Sequence, residues 1–116
     1  MILLLEKTIQ ITLLFDYYGA LLTNKQRKIF DLYYFQDLSL AEAAEKLDVS
    51  RQAVYDHLQR GEKLLNQYEN KLGLAGKANN IRNKIDDILK KLKLNSHSAH
   101  KIREIRNDLN SIKKNL

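Results

Sequence analysis

The chain has 116 residues, of which 44% are hydrophobic and 29% are charged, and its formal net charge is +6. These proportions are typical of an ordinary soluble domain and exclude a disordered chain. Cysteine is absent, which excludes disulfides and thiolate metal sites and is consistent with a cytoplasmic protein.

The first segment, MILLLEKTIQITLLFDYYGALL, is strongly apolar and predicts a buried helix from about Ile2 to Leu22. Glu6, Lys7 and Asp16 interrupt the apolar run, no basic stretch precedes it, and no small-residue cleavage site follows it. We therefore expect neither a signal peptide nor a transmembrane segment. Proline is absent and no alternating strand pattern is sustained, so we predict an all-α chain.

Two further helices are predicted to begin at hydroxyl residues. Thr23 with Gln26, and Ser39 with Glu42, have the spacing of reciprocal capping boxes. The first of these two helices is predicted over NKQRKIFDLYYFQ. Its expected inward-facing residues are Ile29, Leu32 and Tyr33, with Phe30 and Tyr34 beside them.

The stretch SLAEAAEKLDVSRQAVYDHLQRGEKLL, residues 39–65, predicts a helix-turn-helix. The bend is predicted at LDVS, where Asp48 stands in place of the usual glycine, and Ser50 is expected to cap a long second helix. His57 stands where an apolar residue is usual. Apolar residues spaced 4, 3, 4, 3 and 4 apart predict one buried stripe along that helix. The stripe is Val54, Leu58, Gly61, Leu65, Tyr68 and Leu72.

Polar side chains remain on the outer face of the second helix, where a recognition helix carries its base-contacting residues. Arginine and glutamine make paired hydrogen bonds to guanine and adenine, and the backbone amides at the helix start can receive a phosphate. The candidate nucleic-acid contacts are Ser50, Arg51, Gln52, Tyr55 and Gln59, with Glu62 further along the same face. The alternative is a merely solvated face, because residues 39–72 carry five basic and six acidic side chains and neutralise phosphate poorly.

Residues 73–116 are predicted to form a basic helical extension with eleven basic and four acidic side chains. LGLAGKANN predicts a helix end and a linker, and two short amphipathic segments follow, separated by NSHS. Their lengths favour an αα-hairpin packed on the domain, or a homodimerisation element, over a free rod. Candidate ligands of the extension are an RNA backbone, an acidic protein surface or anionic lipid, and the alternative is a solvated basic face. The candidate residues are Lys90, Lys91, Lys93, Lys101, Arg103 and Arg106.

Signals for catalysis or for a cofactor are weak. His97 and His100 are spaced to share a helix face, but no third metal ligand accompanies them. No P-loop, nucleophile elbow or zinc motif occurs. We therefore predict no metal, no cofactor and no enzymatic activity.

These motifs carry two resemblances. LTNKQRKIFDLYYFQDLSLAEAAEKLDVSRQAVYDHLQRGEKLL resembles region four of bacterial sigma factors, the helix-turn-helix that reads the promoter −35 element. EKTIQITLLFDYYGALLTNKQ, SLAEAAEKLDVSRQAVYD and the EKLLNQYENKL run resemble the YlxM family over about residues 6–72. Residues 73–116 match that family poorly.

The YlxM resemblance implies a sigma-region-four-like helical protein encoded beside genes of the signal recognition particle. It therefore implies a non-catalytic, cytoplasmic regulator or accessory of that pathway, with the particle's protein or RNA as partner. The sigma-factor resemblance instead implies a sequence-specific DNA-binding regulator that uses Arg51, Gln52 and Tyr55. A third hypothesis is a protein–protein adaptor that dimerises through its C-terminal stripes. The predicted domains are 1–72, with the helix-turn-helix at about 39–65, and 73–116.

Overall fold

The computed structural model describes the backbone of residues 2–93 and 98–115, and the side chains from Leu5 onwards within those ranges. The described residues form helices and short connections without any strand, which confirms the all-α prediction. The helices are α1 (Ile2–Tyr18), α2 (Asn24–Phe30), α3 (Leu40–Leu47), α4 (Arg51–Leu72), α5 (Leu74–Lys93) and α6 (Ala99–Lys114). The chain divides into two compact units, Met1–Gly73 and Leu74–Leu116, which are described separately.

The core of the first unit forms where α1, α2 and α3 pack against α4. Phe30 of α2 is fully buried at its centre, and its ring stacks on Phe15 with a centroid distance of 5.6 Å. Gly61 of α4 lies directly against the Phe30 ring. The predicted stripe of α4 is buried from Val54 to Leu65, whereas Leu72 is 48% exposed because it ends the helix. The largest fully buried side chains are Tyr18, Phe30, Ile29, Leu65 and Val54.

Both predicted capping boxes are present. The Thr23 N–H donates to Oε1 of Gln26 over 3.0 Å, and the Gln26 N–H donates to Oγ1 of Thr23 over 3.1 Å. Ser39 and Glu42 make the same two bonds, both at 3.1 Å. The bonds from the backbone N–H and from the side chain of Ser39 hold the pKa of Glu42 below its usual value. The starts of α2 and α3 were therefore predictable from local chemistry.

Two predicted helices end differently in the structure. The first stops at Tyr18 and continues as a 3₁₀ turn, Gly19–Leu21, because glycine is a poor helix former and Gly19 is buried against the ring of Phe15. The second becomes a π-helix over Asp31–Phe35. There the N–H of Gln36 bonds to the carbonyl of Asp31 over 2.9 Å, five residues earlier.

The predicted helix end within LGLAGKANN is confirmed, since α4 ends at Leu72, but the predicted linker is wrong. Gly73 alone makes the turn, since it has a left-handed backbone with φ of 63° and its N–H bonds to the Glu69 carbonyl over 2.8 Å. α5 begins at the next residue, Leu74, and Gly76 lies inside it. A single left-handed glycine is enough to separate two helices, so a second glycine nearby does not require a loop.

The second unit is an antiparallel-type αα-hairpin of α5 and α6. Nζ of Lys91 lies 2.9 Å from Asp108 and 3.3 Å from Glu104, and the bond to Asp108 raises the pKa of Lys91. Nζ of Lys84 donates to Oγ of Ser111 over 2.6 Å.

Residues 95–97 of the predicted NSHS break, including His97, lie outside the described residues, as does Leu116 of the second stripe. Among the described helices, none is long and apolar enough to cross a membrane.

Gly61→Ala is expected to destabilise the first unit. A Cβ at position 61 would lie 2.3 Å from Cε2 of Phe30, whose buried ring cannot move aside without disturbing the core. We expect the free energy of unfolding to fall by about 1–3 kcal/mol in urea denaturation. Gly76→Ala, at an exposed position in α5, is the matched control and should leave stability unchanged or slightly higher. An unchanged midpoint for Gly61→Ala would contradict this packing.

Candidate nucleic-acid interface

The helix-turn-helix is built by α3, the bend at Asp48 and α4. Ala43 and Ala44 are buried on α3, and such small side chains let the two helices approach closely. Asp48 adopts the left-handed conformation, with φ of 55° and ψ of 48°. Aspartate tolerates this conformation better than most residues, so it can replace the usual glycine. The N–H of Val49 closes the bend with a 3.0 Å bond to the Ala44 carbonyl.

The first turn of α4 presents its polar side chains to solvent. Oγ of Ser50 accepts the N–H of Ala53 over 3.0 Å, so this predicted contact residue already acts as the helix cap. Arg51 and Gln52 are both exposed, as predicted. Nε2 of Gln52 donates to Oδ1 of Asp56 over 2.9 Å. A base that takes both hydrogen bonds from the Gln52 amide must therefore displace Asp56.

Tyr55 and Gln59 lie one and two turns further along α4, beside α1. Both are exposed, with Tyr55 46% exposed, and they line a cavity of about 190 Å³. The opposite wall of this cavity includes Lys7 and Thr8 of α1. These two candidates therefore sit in a notch between helices, whereas Arg51 and Gln52 lie at the tip of α4.

Glu62 was predicted on the outer face, and that prediction is wrong. Its side chain is only 12% exposed, its Oε1 accepts the hydroxyl of Tyr34, and its Oε2 lies 3.3 Å from Nζ of Lys7. Burial, followed by the hydrogen bond to Glu62, raises the pKa of Tyr34, so its hydroxyl stays protonated and donates. Glu62 follows Leu58 by four residues and precedes Leu65 by three, and this spacing could have placed it next to the buried stripe.

Arg60 and Lys63 of α4 were missed as candidates. Both are exposed, and together with Gln26, Leu64 and Gln67 they line an open pocket of about 320 Å³ between α2 and α4. The spacing could have shown part of this surface, because Gln52, Asp56, Gln59 and Lys63 follow one another at 4, 3 and 4 residues. The two cations add positive charge to the solvent face of α4.

The charge of the first unit stays unfavourable for phosphate as a whole. Met1–Gly73 has nine basic and ten acidic side chains, so its net charge is −1. Leu74–Leu116 has eleven basic and four acidic side chains, so its net charge is +7. The helix-turn-helix and the excess of positive charge therefore lie in different units.

The structure separates the six basic candidates of the second unit. Lys91 is bound by Glu104 and Asp108, and Lys101 is half-buried. The other four candidates are exposed. They are Lys90, Lys93, Arg103 and Arg106.

The histidines show no ligand-binding arrangement in the part of the chain that the structure describes. Nε2 of His100 lies 2.7 Å from Glu104, and no group of three described metal-ligating side chains comes together. His57 is half-buried at the edge of the α4 stripe, and its Nδ1 has no hydrogen-bond partner among the described residues. The inward face of α4 nevertheless keeps Val54 and Leu58 buried.

A family model described as "Putative helix-turn-helix protein, YlxM / p13 like" (UPF0122) matches residues 5–107. The chain belongs to the UPF0122 family. Relatives in that family include a protein of Thermoanaerobacter sp. strain X514, 54% identical over 72% of this chain and 71% of its own. A protein of Halalkalibacterium halodurans is 51% identical over 78% and 79%, and one of Bacillus thuringiensis is 57% identical over 64% and 67%.

The match confirms the YlxM resemblance and extends it. The sequence resemblance was placed over about residues 6–72, whereas the UPF0122 model reaches residue 107, well into α6. The basic hairpin is therefore mostly a part of the UPF0122 pattern and not an addition to it. The family description also names a helix-turn-helix protein, which agrees with the arrangement of α3 and α4.

Tyr34→Phe is expected to lower stability without touching the solvent face of α4. It removes the hydroxyl donor of the partly buried Glu62 carboxylate, which costs about 1–3 kcal/mol of unfolding free energy. Tyr55→Phe, at the exposed tyrosine, is the matched control and should change stability by less than about 0.5 kcal/mol. Urea denaturation of the two variants checks this, and equal effects would show that the Tyr34 bond contributes nothing.

Proposed function

We propose that this UPF0122 protein is a non-catalytic regulator that binds duplex DNA through the first turns of α4. The observation that supports this most is the combination of a left-handed bend at Asp48, a helix capped by Ser50, and exposed Arg51 and Gln52 at its tip. Residues at this place in a helix-turn-helix enter the major groove. Arg51 is suited to guanine and Gln52 to adenine.

The surrounding surface supports the same orientation. Arg60 and Lys63 on the solvent face of α4 supply cations to the phosphates that flank the groove. Tyr55 and Gln59 line the notch beside α1. In this proposal they are the next residues along α4, after Arg51 and Gln52, to come near the base edges. The net charge of −1 on Met1–Gly73 predicts that this unit alone has weak nonspecific affinity for DNA, so its discrimination between sequences rests mainly on the tip of α4.

Arg51→Ala and Gln52→Ala test the proposal. Each is expected to relax the preference at one base pair by about 1–3 kcal/mol, because a bidentate contact is lost. Selection from random duplexes followed by titration of the enriched sequence measures this. Lys71→Ala removes the same charge as Arg51→Ala at the far end of α4 and should leave the preference unchanged. If the wild-type protein enriches no sequence, the DNA proposal is wrong.

A second candidate function follows from the separation of charge between the units. In this proposal the protein is an accessory of the signal recognition particle, which the YlxM resemblance implies, and its basic hairpin contacts the RNA or protein of the particle. The net charge of +7 on Leu74–Leu116 supports a polyanionic partner for that unit. The described part of the hairpin contains no aromatic residue, which favours backbone contacts over stacked bases.

A quadruple variant tests the second candidate. It carries Lys90→Gln, Lys93→Gln, Arg103→Gln and Arg106→Gln. Binding of the particle RNA in a gel shift should be lost, and each phosphate contact removed should lower the salt slope by about 0.7–0.9. The DNA preference set by Arg51 and Gln52 should stay unchanged in this variant. Arg51→Ala with Gln52→Ala is the reciprocal control and should leave RNA binding intact. RNA binding that persists in the tail variant, or is absent from the wild type, would overturn this candidate.

A further inference from the structure

The αα-hairpin leaves one broad apolar face uncovered. Five large aliphatic side chains on α5 and α6 are between 44% and 53% exposed. They are Ile85, Leu89, Leu92, Ile102 and Leu109. Among the described residues of this unit, Ile88 is the large aliphatic side chain that is buried. The five named above stay exposed because each of the two helices covers only one edge of the other's apolar stripe.

Polar contacts identify the opposite, closed edge of the hairpin. Lys84 of α5 bonds to Ser111 of α6, and Lys91 bonds to Glu104 and Asp108. On α5, Lys84 and Lys91 are seven residues apart and therefore share one side of the helix. The exposed aliphatic residues point away from that side, so they form a single face, which we call the open face.

Basic residues alternate with the aliphatic ones along the open face. On α6, Ile102, Arg106, Leu109 and Lys113 follow one another at 4, 3 and 4 residues. On α5, Arg82, Ile85, Leu89 and Lys93 follow at 3, 4 and 4 residues. Arg82, Lys93, Arg106 and Lys113 are all exposed. Each helix therefore presents a mixed row of aliphatic and cationic side chains to the same side.

The acidic residues of the hairpin do not cancel this charge. Glu104 and Asp108 are held by Lys91 at the closed edge. Asp87 lies about half a turn around α5 from Leu89, on the far side of the helix. Asp86 comes closest, next to the outer edge of the row that contains Arg82. The open face consequently combines exposed apolar area with a net positive rim.

We infer that the open face binds the surface of a bilayer that contains anionic phospholipid. Aliphatic side chains can enter the boundary between headgroups and acyl chains, while arginine and lysine at the rim reach the phosphates. A second copy of the chain is a poorer occupant, because pairing two open faces brings two positive rims together. A nucleic acid is also a poorer occupant of this face, because five aliphatic side chains would meet a charged backbone. The inference therefore competes with the RNA contacts proposed above for Lys93 and Arg106. This inference concerns α5 and α6 and is independent of base reading by α4.

Sedimentation of the full chain with vesicles tests the inference. Binding is expected to vesicles of phosphatidylcholine mixed equally with phosphatidylglycerol, and not to phosphatidylcholine alone. Arg106→Gln with Lys113→Gln should weaken the binding about 25-fold, roughly five-fold for each basic residue near the surface. Lys90→Gln with Arg103→Gln removes the same charge off the open face and should cause a clearly smaller loss.

The double variant Leu89→Ser with Leu109→Ser tests the apolar contribution to binding, because it leaves every charge unchanged. It should weaken binding at least about ten-fold, since several methylene groups no longer enter the bilayer. Circular dichroism checks that every variant keeps its helix content. No binding to the mixed vesicles, equal binding to the neutral ones, or equal losses for the two basic pairs would overturn the inference. A dimer that light scattering shows to dissociate in the Leu89 and Leu109 variant, with unchanged vesicle binding, would assign the face to a second copy instead.

Discussion

The contact between Phe30 and Gly61 is the constraint on which the first unit depends. α4 is a helix of 22 residues that forms part of the core and also carries the candidate interface. It can pass next to the Phe30 ring only because position 61 has no side chain, since a Cβ there would stand 2.3 Å from the ring. Phe30 in turn stacks on Phe15 of α1 and lies 5.4 Å from the ring of Tyr34. One ring therefore sets the positions of α1, α2 and α4 together.

That packing decides which residues of α4 can meet a ligand. Because α1 lies beside the middle of α4, the helix offers solvent its first turn and one side, and not the whole outer face. Glu62 shows the consequence, since its carboxylate accepts the Tyr34 hydroxyl and pairs with Lys7. A carboxylate on a recognition face would repel phosphate, whereas here it joins α1, the π-helix and α4. The bundle thus removes an unfavourable charge from the interface.

Local chemistry predicted much of this fold, and long-range packing accounts for most of what it missed. The two capping boxes, the bend at Asp48 and the buried stripe of α4 depend on neighbouring residues, and they are confirmed, the stripe from Val54 to Leu65 only. The early end of α1 depends on Gly19 meeting Phe15, and the burial of Glu62 depends on Lys7. Phe15 precedes Gly19 by four residues on the same helix, so local spacing could have indicated that contact. Lys7 and Glu62 lie on different helices, so only the packing of α1 on α4 brings them together. Arg60 and Lys63 were missed because the pocket that they line forms only where α2 lies beside α4.

The two functions proposed above would place opposite demands on charge, and the two units that meet at Gly73 differ in charge accordingly. A helix that discriminates between base pairs gains specificity when nonspecific attraction to phosphate is weak, and the net charge of −1 in the first unit meets that condition. A surface that holds a polyanion without reading it needs many cations, and the +7 hairpin has them. A single unit carrying both properties would bind any duplex through its cations and lose the discrimination proposed for Arg51 and Gln52. Gly73, with its left-handed backbone, is the single residue that connects α4 of the first unit to α5 of the second.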